Sequence, residues 1–240
     1  MQRGLHVAIF PKSCMLHARR NLSSGTNLKS IFKDAKSAEL LATVGSIASI
    51  PRLHDLPEVI ITGRANAGKS TLLNAVLGRR DLLFTSKKAG RTQTLNFYRV
   101  GAHPGKLVVV DTPGYGARGR PEWGAVFNHY IETRNQLCRI YILLTAAHGL
   151  TPSDEAMLSS LDANVQSSAG TNFTLQAIIT KADTLGSQGR KLVEATSQNI
   201  FKAAPTCLPP IITACPGGGK SMFGVEEVRK SMIDACGLVG

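Results

Sequence analysis

Apolar positions in this chain fall into short runs separated by polar, glycine-containing stretches. Val59 to Ile61, Leu107 to Val110, Leu175 to Ile179 and Ile211 to Ala214 have the length and composition of buried strands. Between them, apolar residues recur at helical spacing near Lys69 to Leu77, Trp123 to Leu137, Ser153 to Leu161, Gln188 to Phe201 and Val225 to Ala235. Trp123, Tyr130 and Leu137 stand at sevenfold steps and predict one helix face packed on a sheet. Thr94 to Val100 alternates, with Leu95 and Phe97 on one side, and suits an exposed sheet edge. Residues 29 to 57 predict a short helix, Ala35 to Val44, and a linker bounded by Pro51 and Pro57. Strand and helix therefore alternate, which predicts an α/β fold with a parallel sheet covered on both faces. Its functional loops should lie at the carboxyl ends of the strands.

Three of those loops carry recognisable chemistry. Gly63 to Ser70 reads GRANAGKS between a strand and a helix, the context of a phosphate-binding loop GxxxxGK[ST]. Here Gly63, Arg64, Ala65, Asn66, Ala67 and Gly68 would turn backbone N–H groups toward phosphate oxygens, and the helix that carries Ser70 and Thr71 would add its positive dipole end. Lys69 would reach the β- and γ-phosphates, and the Ser70 hydroxyl would ligate Mg2+. The strand Leu107 to Val110 runs into DTPG, where Asp111 would hold the metal's water shell and the Gly114 amide would sense a γ-phosphate. A further strand runs into TKAD, Thr180 to Asp183. Asp183 would accept from the guanine N1–H and 2-amino groups, with the Lys181 stem along the base. Adenine lacks that donor pair, so a buried carboxylate there would reject ATP. Thr213 and Ala214 sit where a backbone amide would touch the guanine carbonyl, a weaker signal.

Between the phosphate loop and DTPG lies Thr85 to Gln93, TSKKAGRTQ, which is polar, basic and without apolar period. It reads as a switch loop in which Thr92, after Gly90, closes over Mg2+ when the γ-phosphate is present. Thr85 and Thr94 are competing choices, and Thr92 could instead begin the next strand. Lys87, Lys88 and Arg91 could meet RNA phosphates or simply face water.

These segments resemble a named family, the EngB/YihA GTPases of the TrmE-Era-EngA-YihA group, over roughly residues 37 to 235. The resemblance rests on GRANAGKSTLLNAV, TSKKAGRTQTLNFY, DTPGYG and the spacing of Trp123, Tyr130, Arg134 and Leu137. It implies a Ras-like fold with a six-stranded, mostly parallel sheet, Mg2+-dependent GTP hydrolysis to GDP and phosphate that is slow without a partner, and a role in large ribosomal subunit assembly. Ribosomal RNA and proteins would then be partners. Departures from the family pattern are Thr145 and Ala147, followed by His148, where Asp and Arg are usual, Ala89 in place of proline, and an approximate match at Thr213-Ala214-Cys215. Tyr115 stands where many GTPases place a water-orienting glutamine. Related GTPases with an asparagine at the Asn66 position use it to help hold K+, which would neutralise charge developing on the phosphate; Asn66 could equally just stabilise the loop. Lys69, Thr92, Gly114 and Asn66 form the expected catalytic set, with Ser70, Thr92 and Asp111 at the metal. Arg64 and Arg91 are less suited to catalysis, Arg64 because its loop position is variable. A GTP-dependent regulatory binding module with little turnover and no ribosomal role is the competing function.

The net charge of +12 is in part a feature of the first residues, because Arg3, Lys12, Arg19 and Arg20 all precede the first acidic residue, Asp34. That basic, acid-free, serine-containing segment reads as a mitochondrial targeting peptide within residues 1–28, cut after Leu22, with the matrix as destination. Residues 29–57 then form an extension and linker, and 58–240 the nucleotide-binding domain. No apolar run approaches the roughly 18 residues of a membrane span, so no membrane partner is expected. The five cysteines, Cys14, Cys138, Cys207, Cys215 and Cys236, have neither CxxC nor zinc spacing and predict free thiols. A monomer is the expected state.

Overall fold

The computed structural model describes residues 31–32, 38–53, 55–79, 82–83, 94–116, 121–216 and 222–238, with 121–123 as backbone only. Seven strands form one sheet. In chain order they are β1 (Glu39–Val44), β2 (Glu58–Gly63), β3 (Leu95–Val100), β4 (Leu107–Asp111), β5 (Leu137–Thr145), β6 (Thr174–Thr180) and β7 (Leu208–Ile212). Their spatial order is β1-β3-β4-β2-β5-β6-β7. The pairs β2–β4, β2–β5, β5–β6 and β6–β7 are parallel, whereas β1–β3 and β3–β4 are antiparallel.

Among the described residues five α-helices cover the sheet: α1 (Lys69–Val76), α2 (Pro121–Thr133), α3 (Pro152–Ser167), α4 (Gly189–Ala203) and α5 (Val225–Ala235). The central strands carry apolar residues at successive positions because their two sides feed two cores. Val59 and Ile61 of β2 pack with Leu72 and Leu73 of α1 and Met232 of α5. Ile60, between them, points the other way, into a cluster with Phe127 and Tyr130 of α2, Leu158 of α3 and Ile200 of α4. No helix among the described residues is long and apolar enough to cross a membrane.

The structure corrects three expectations. The sheet has seven strands, not six, because Glu39–Val44 is an edge strand where a helix was expected. Its Ala, Glu and Leu favour a helix locally, but pairing with β3 satisfies the backbone of both strands and overrides propensity. Consequently β3 is interior, between β1 and β4, and the outer edge is β1, whose pairing with β3 is irregular between Leu40 and Ala42. Finally, α2 ends at Thr133, and Leu137 instead opens β5, so the sevenfold series crosses a helix–strand boundary. At that boundary Glu58, buried at the start of β2, accepts from Arg134 at 2.6 and 2.9 Å and from the Tyr130 hydroxyl. That cluster fixes the end of α2 to the amino end of the sheet.

Candidate nucleotide-binding site

All six residues of β2 are buried, and the strand delivers the chain to the phosphate loop at a fixed point at the carboxyl edge of the sheet. The Ala67 amide donates to the Arg64 carbonyl at 3.1 Å, closing the loop's turn. Gly68 caps α1 with φ of +90°, a left-handed backbone that a side chain would strain. From the first helical position Lys69 folds back over the loop, and its Nζ donates to the carbonyls of Gly63 (3.0 Å) and Arg64 (3.3 Å). Burial holds this ammonium below the usual lysine range, opposed by the nearby Asp111 charge. An ammonium held by carbonyls over a glycine-rich loop can turn to phosphate oxygens without leaving the pocket. Ser70, half-buried, and Thr71, exposed, follow on the same helical turn.

Asp111 ends β4 opposite Ile61 of β2 and Asn96 of β3. It is 3% exposed, and its Oδ1 has no hydrogen-bond partner among the described residues. Burial pushes its carboxyl up to about 7, against the opposing effects of Lys69 and an Asn96 side-chain hydrogen bond. An unpartnered buried acceptor beside Lys69, the residue that precedes Ser70, fits the oxygen-rich shell of a hydrated Mg2+. Asp111 and Ser70 are the described residues that would hold that ion. β1 supports this arrangement at one remove, since Thr43 donates to Asn96 Oδ1 at 3.1 Å.

Beyond Asp111 the chain is strapped to the phosphate loop. The Thr112 amide donates to Ile61 O at 3.2 Å. A Cβ on Gly114 would come within 2.7 Å of the Ala65 nitrogen, so only glycine permits this approach. Arg64 and Tyr115 form an isolated parallel bridge. Tyr115 is 8% exposed and donates its hydroxyl to Asp154 Oδ1 at 2.8 Å, which removes it as a water-orienting group. Burial first, and then the Asp154 charge, push this phenol well above its ordinary range. Arg64 Nε donates to the same oxygen at 3.0 Å, so its guanidinium is directed to α3.

At the far end of the loop β6 supplies the base-side residues. The Thr180 hydroxyl lies 2.7 Å from the Ala67 carbonyl and 3.2 Å from that of Leu144. Lys181, at φ of +59°, reaches across so that Nζ donates to Asn66 O at 2.8 Å. Buried Thr213 is tied back by its amide to Ile179 O at 2.8 Å, and its carbonyl accepts from the Ala182 amide at 3.1 Å. Ala214 follows and bridges Phe223. Thr180, Lys181 and Thr213 help wall a cavity of about 230 Å3 whose lining includes Gly68, Thr71 and Asp183. Asp183 is exposed at its rim, not buried as expected. If Asp183 reads the base, discrimination against adenine would have to arise as the base itself covers the carboxylate and removes its water.

The structure thus brings together Gly63 to Thr71, Asp111, Gly114, Thr180, Lys181, Asp183, Thr213 and Ala214. Gly90, Thr92, Thr85, Lys87, Lys88, Ala89 and Arg91 lie outside the described residues, as does the Trp123 side chain. Thr94 is described, and its hydroxyl donates to Asn96 Oδ1 at 3.4 Å, placing it at the entry to β3. Sequence reasoning missed Asp154, whose available signal was the capping box Thr151-Pro152-Ser153-Asp154 at the start of α3. It also missed Thr184 and Pro216 on the cavity wall, signalled only by closeness in sequence to Asp183 and Thr213, whereas Cys215 of the Thr213-Ala214-Cys215 segment lies on that wall.

Known proteins agree with this geometry. Residues 58–180 match the family profile described as 50S ribosome-binding GTPase. A probable GTP-binding protein EngB from Chelativorans sp. is 36% identical over 191 residues, covering 75% of this chain and 80% of that protein. Its counterpart from Bartonella bacilliformis is 32% identical over 205 residues, covering 79% and 91%. Among solved structures, Era of Aquifex aeolicus bound to GDP·AlF4− superimposes with a TM-score of 0.57 at 23% identity, over 75% of this chain and 56% of Era. Toc33 of Arabidopsis thaliana with Mg2+ and GMPPNP gives 0.58 at 11% identity, over 76% and 86%. The two structures share the fold, and the two EngB relatives share the sequence as well. The chain belongs to the EngB family of 50S ribosome-binding GTPases: it binds guanine nucleotide and hydrolyses GTP.

Proposed function

We propose that this GTPase is a Mg2+-dependent switch that acts in assembly of the mitochondrial large ribosomal subunit, bound to the immature particle with GTP and released after hydrolysis. The observation that carries the metal dependence is the unpartnered, buried Asp111 Oδ1 beside Lys69. Its charge is left for a cation bound with the nucleotide. The ribosomal role is supported by the match to a 50S ribosome-binding family over residues 58–180. The mitochondrial address is supported by the basic, acid-free first residues, within which Arg3, Lys12, Arg19 and Arg20 lie. Thr92 would complete the metal shell from the switch loop, and Asn66 would hold K+ beside the phosphates. Tyr115 is held by Asp154, so a glutamine-like water-orienting group is absent from its usual place and turnover is slow without the ribosomal partner.

Co-sedimentation with mitochondrial large-subunit particles tests the role. Association in a non-hydrolysable GTP analogue and release in GDP is expected. Association that ignores the nucleotide, or none at all, would favour the regulatory-module alternative. For the base, Asp183→Asn should move preference from GTP toward xanthosine triphosphate, and unchanged selectivity would remove the base assignment.

A further inference from the structure

Asp154 is a fully buried carboxylate outside every nucleotide-contacting motif, and all of its acceptor capacity is committed. Its Oδ2 accepts from the Thr151 amide (3.0 Å) and hydroxyl (2.8 Å), fixing the residue at the third position of α3. Its Oδ1 accepts from Arg64 Nε (3.0 Å) and the Tyr115 hydroxyl (2.8 Å). Arg64 precedes Ala65 in the phosphate loop, and Tyr115 follows Gly114 of DTPG. The backbones of Ala65 and Gly114 are also the two that touch, within the distance that excludes a Cβ on Gly114. The carbonyl of Arg64 meanwhile accepts from Lys69 Nζ.

We propose that Asp154 is a positioning residue for GTP hydrolysis, which clamps the phosphate loop to DTPG through one carboxylate oxygen and thereby sets the distance between the Lys69 ammonium and the Gly114 amide across a γ-phosphate. A cap alone needs only Oδ2. The second oxygen is spent on two partners from two different loops, each adjacent to a residue expected to face phosphate. Because the amide of Gly114 would meet a γ-phosphate and no other phosphate, loosening the clamp should affect GTP and its transition state more than GDP. A misplacement of about 1 Å at such a site is worth on the order of 100-fold in rate.

The test rests on the hydrolytic activity of the family and measures kcat, KM and the ratio of affinities for a fluorescent non-hydrolysable GTP analogue and fluorescent GDP. Asp154→Asn should lower kcat by about 10- to 100-fold and shift the affinity ratio about tenfold toward GDP. Tyr115→Phe, which removes one donor and keeps the ring, should give a three- to tenfold effect of about the same character. Arg64→Lys should fall between Tyr115→Phe and Arg64→Ala. Tyr115→Phe and Arg64→Ala also carry the test if Asp154→Asn does not fold. A merely structural aspartate lowers the melting temperature and the active fraction but leaves the GTP-to-GDP affinity ratio at its wild-type value, and that result would overturn the proposal. Absence of turnover in the wild-type chain would instead remove the hydrolysis on which it rests.

Discussion

Two buried carboxylates on neighbouring strands have opposite surroundings. Glu58 opens β2 at the amino end of the sheet, and Asp111 closes β4 at the carboxyl end; they are 0% and 3% exposed. Glu58 is fully compensated by its own chain, with Arg134 at 2.6 Å on one oxygen and 2.9 Å on the other and the Tyr130 hydroxyl added. Asp111 has an asparagine, a lysine held by loop carbonyls, and one oxygen with no partner among the described residues. Equal burial therefore does not mean equal role. Where the chain supplies the countercharge, the carboxylate belongs to the fold; where it withholds it, the carboxylate is left open to a ligand.

Exchanging these residues should break the symmetry in opposite directions. Glu58→Ala strands Arg134, and its cost should be about 3 kcal/mol in chemical denaturation. Nucleotide affinity of the folded fraction should stay at the wild-type value. If instead Glu58→Ala weakened GTP binding directly, the two ends of the sheet would not be separable. Asp111→Asn should do the reverse and raise the melting temperature of the nucleotide-free protein at pH 8 by a few degrees, about what 1 kcal/mol gives a domain of this size. A drop in melting temperature would mean that Asp111 is compensated after all.

The same contrast has a pH signature. Asp111 is raised from 3.8 to about 7 in the folded chain, so the folded state holds a proton that the unfolded state releases. Stability from this group is fully present below pH 3.8 and is lost as pH rises through about 7. Melting temperatures of nucleotide-free wild type should therefore decline relative to Asp111→Asn between pH 5 and 8, and parallel curves would contradict the shift. The smallest expected effect concerns the monovalent ion. Turnover in KCl should exceed that in NaCl by about a few-fold if a cation at Asn66 offsets phosphate charge, and equal rates would assign Asn66 to loop structure alone.

Much of this was legible along the chain because it depends on local spacing. GRANAGKS, DTPG and TKAD each follow an apolar strand, and the structure sets all three at one edge of the sheet. Contacts between distant segments were not legible. Glu39–Val44 carries residues that suit a helix, and only the open edge of β3, more than fifty positions away, makes it a strand. Asp154 lies 90 positions from Arg64 and 39 from Tyr115, and a capping box gives no hint of what its second oxygen holds. The length of α2 was overdrawn because Leu137 keeps the heptad spacing of Trp123 and Tyr130 while belonging to the next strand. Asp183 was expected to be buried because its chemistry requires a dry carboxylate, yet its own chain leaves it exposed.

The most direct test is equilibrium titration of fluorescent GTP into the purified chain, with Mg2+ or with EDTA, for wild type and Asp111→Asn. Saturable one-site binding by wild type in Mg2+ is predicted, weakened by about 100-fold when the metal is chelated or Asp111 is neutralised, since a charge-assisted metal contact is then lost. No saturable binding by the wild type in Mg2+, or an Asp111→Asn variant that binds as tightly as wild type, would contradict a pocket built around a carboxylate left open for the nucleotide's cation.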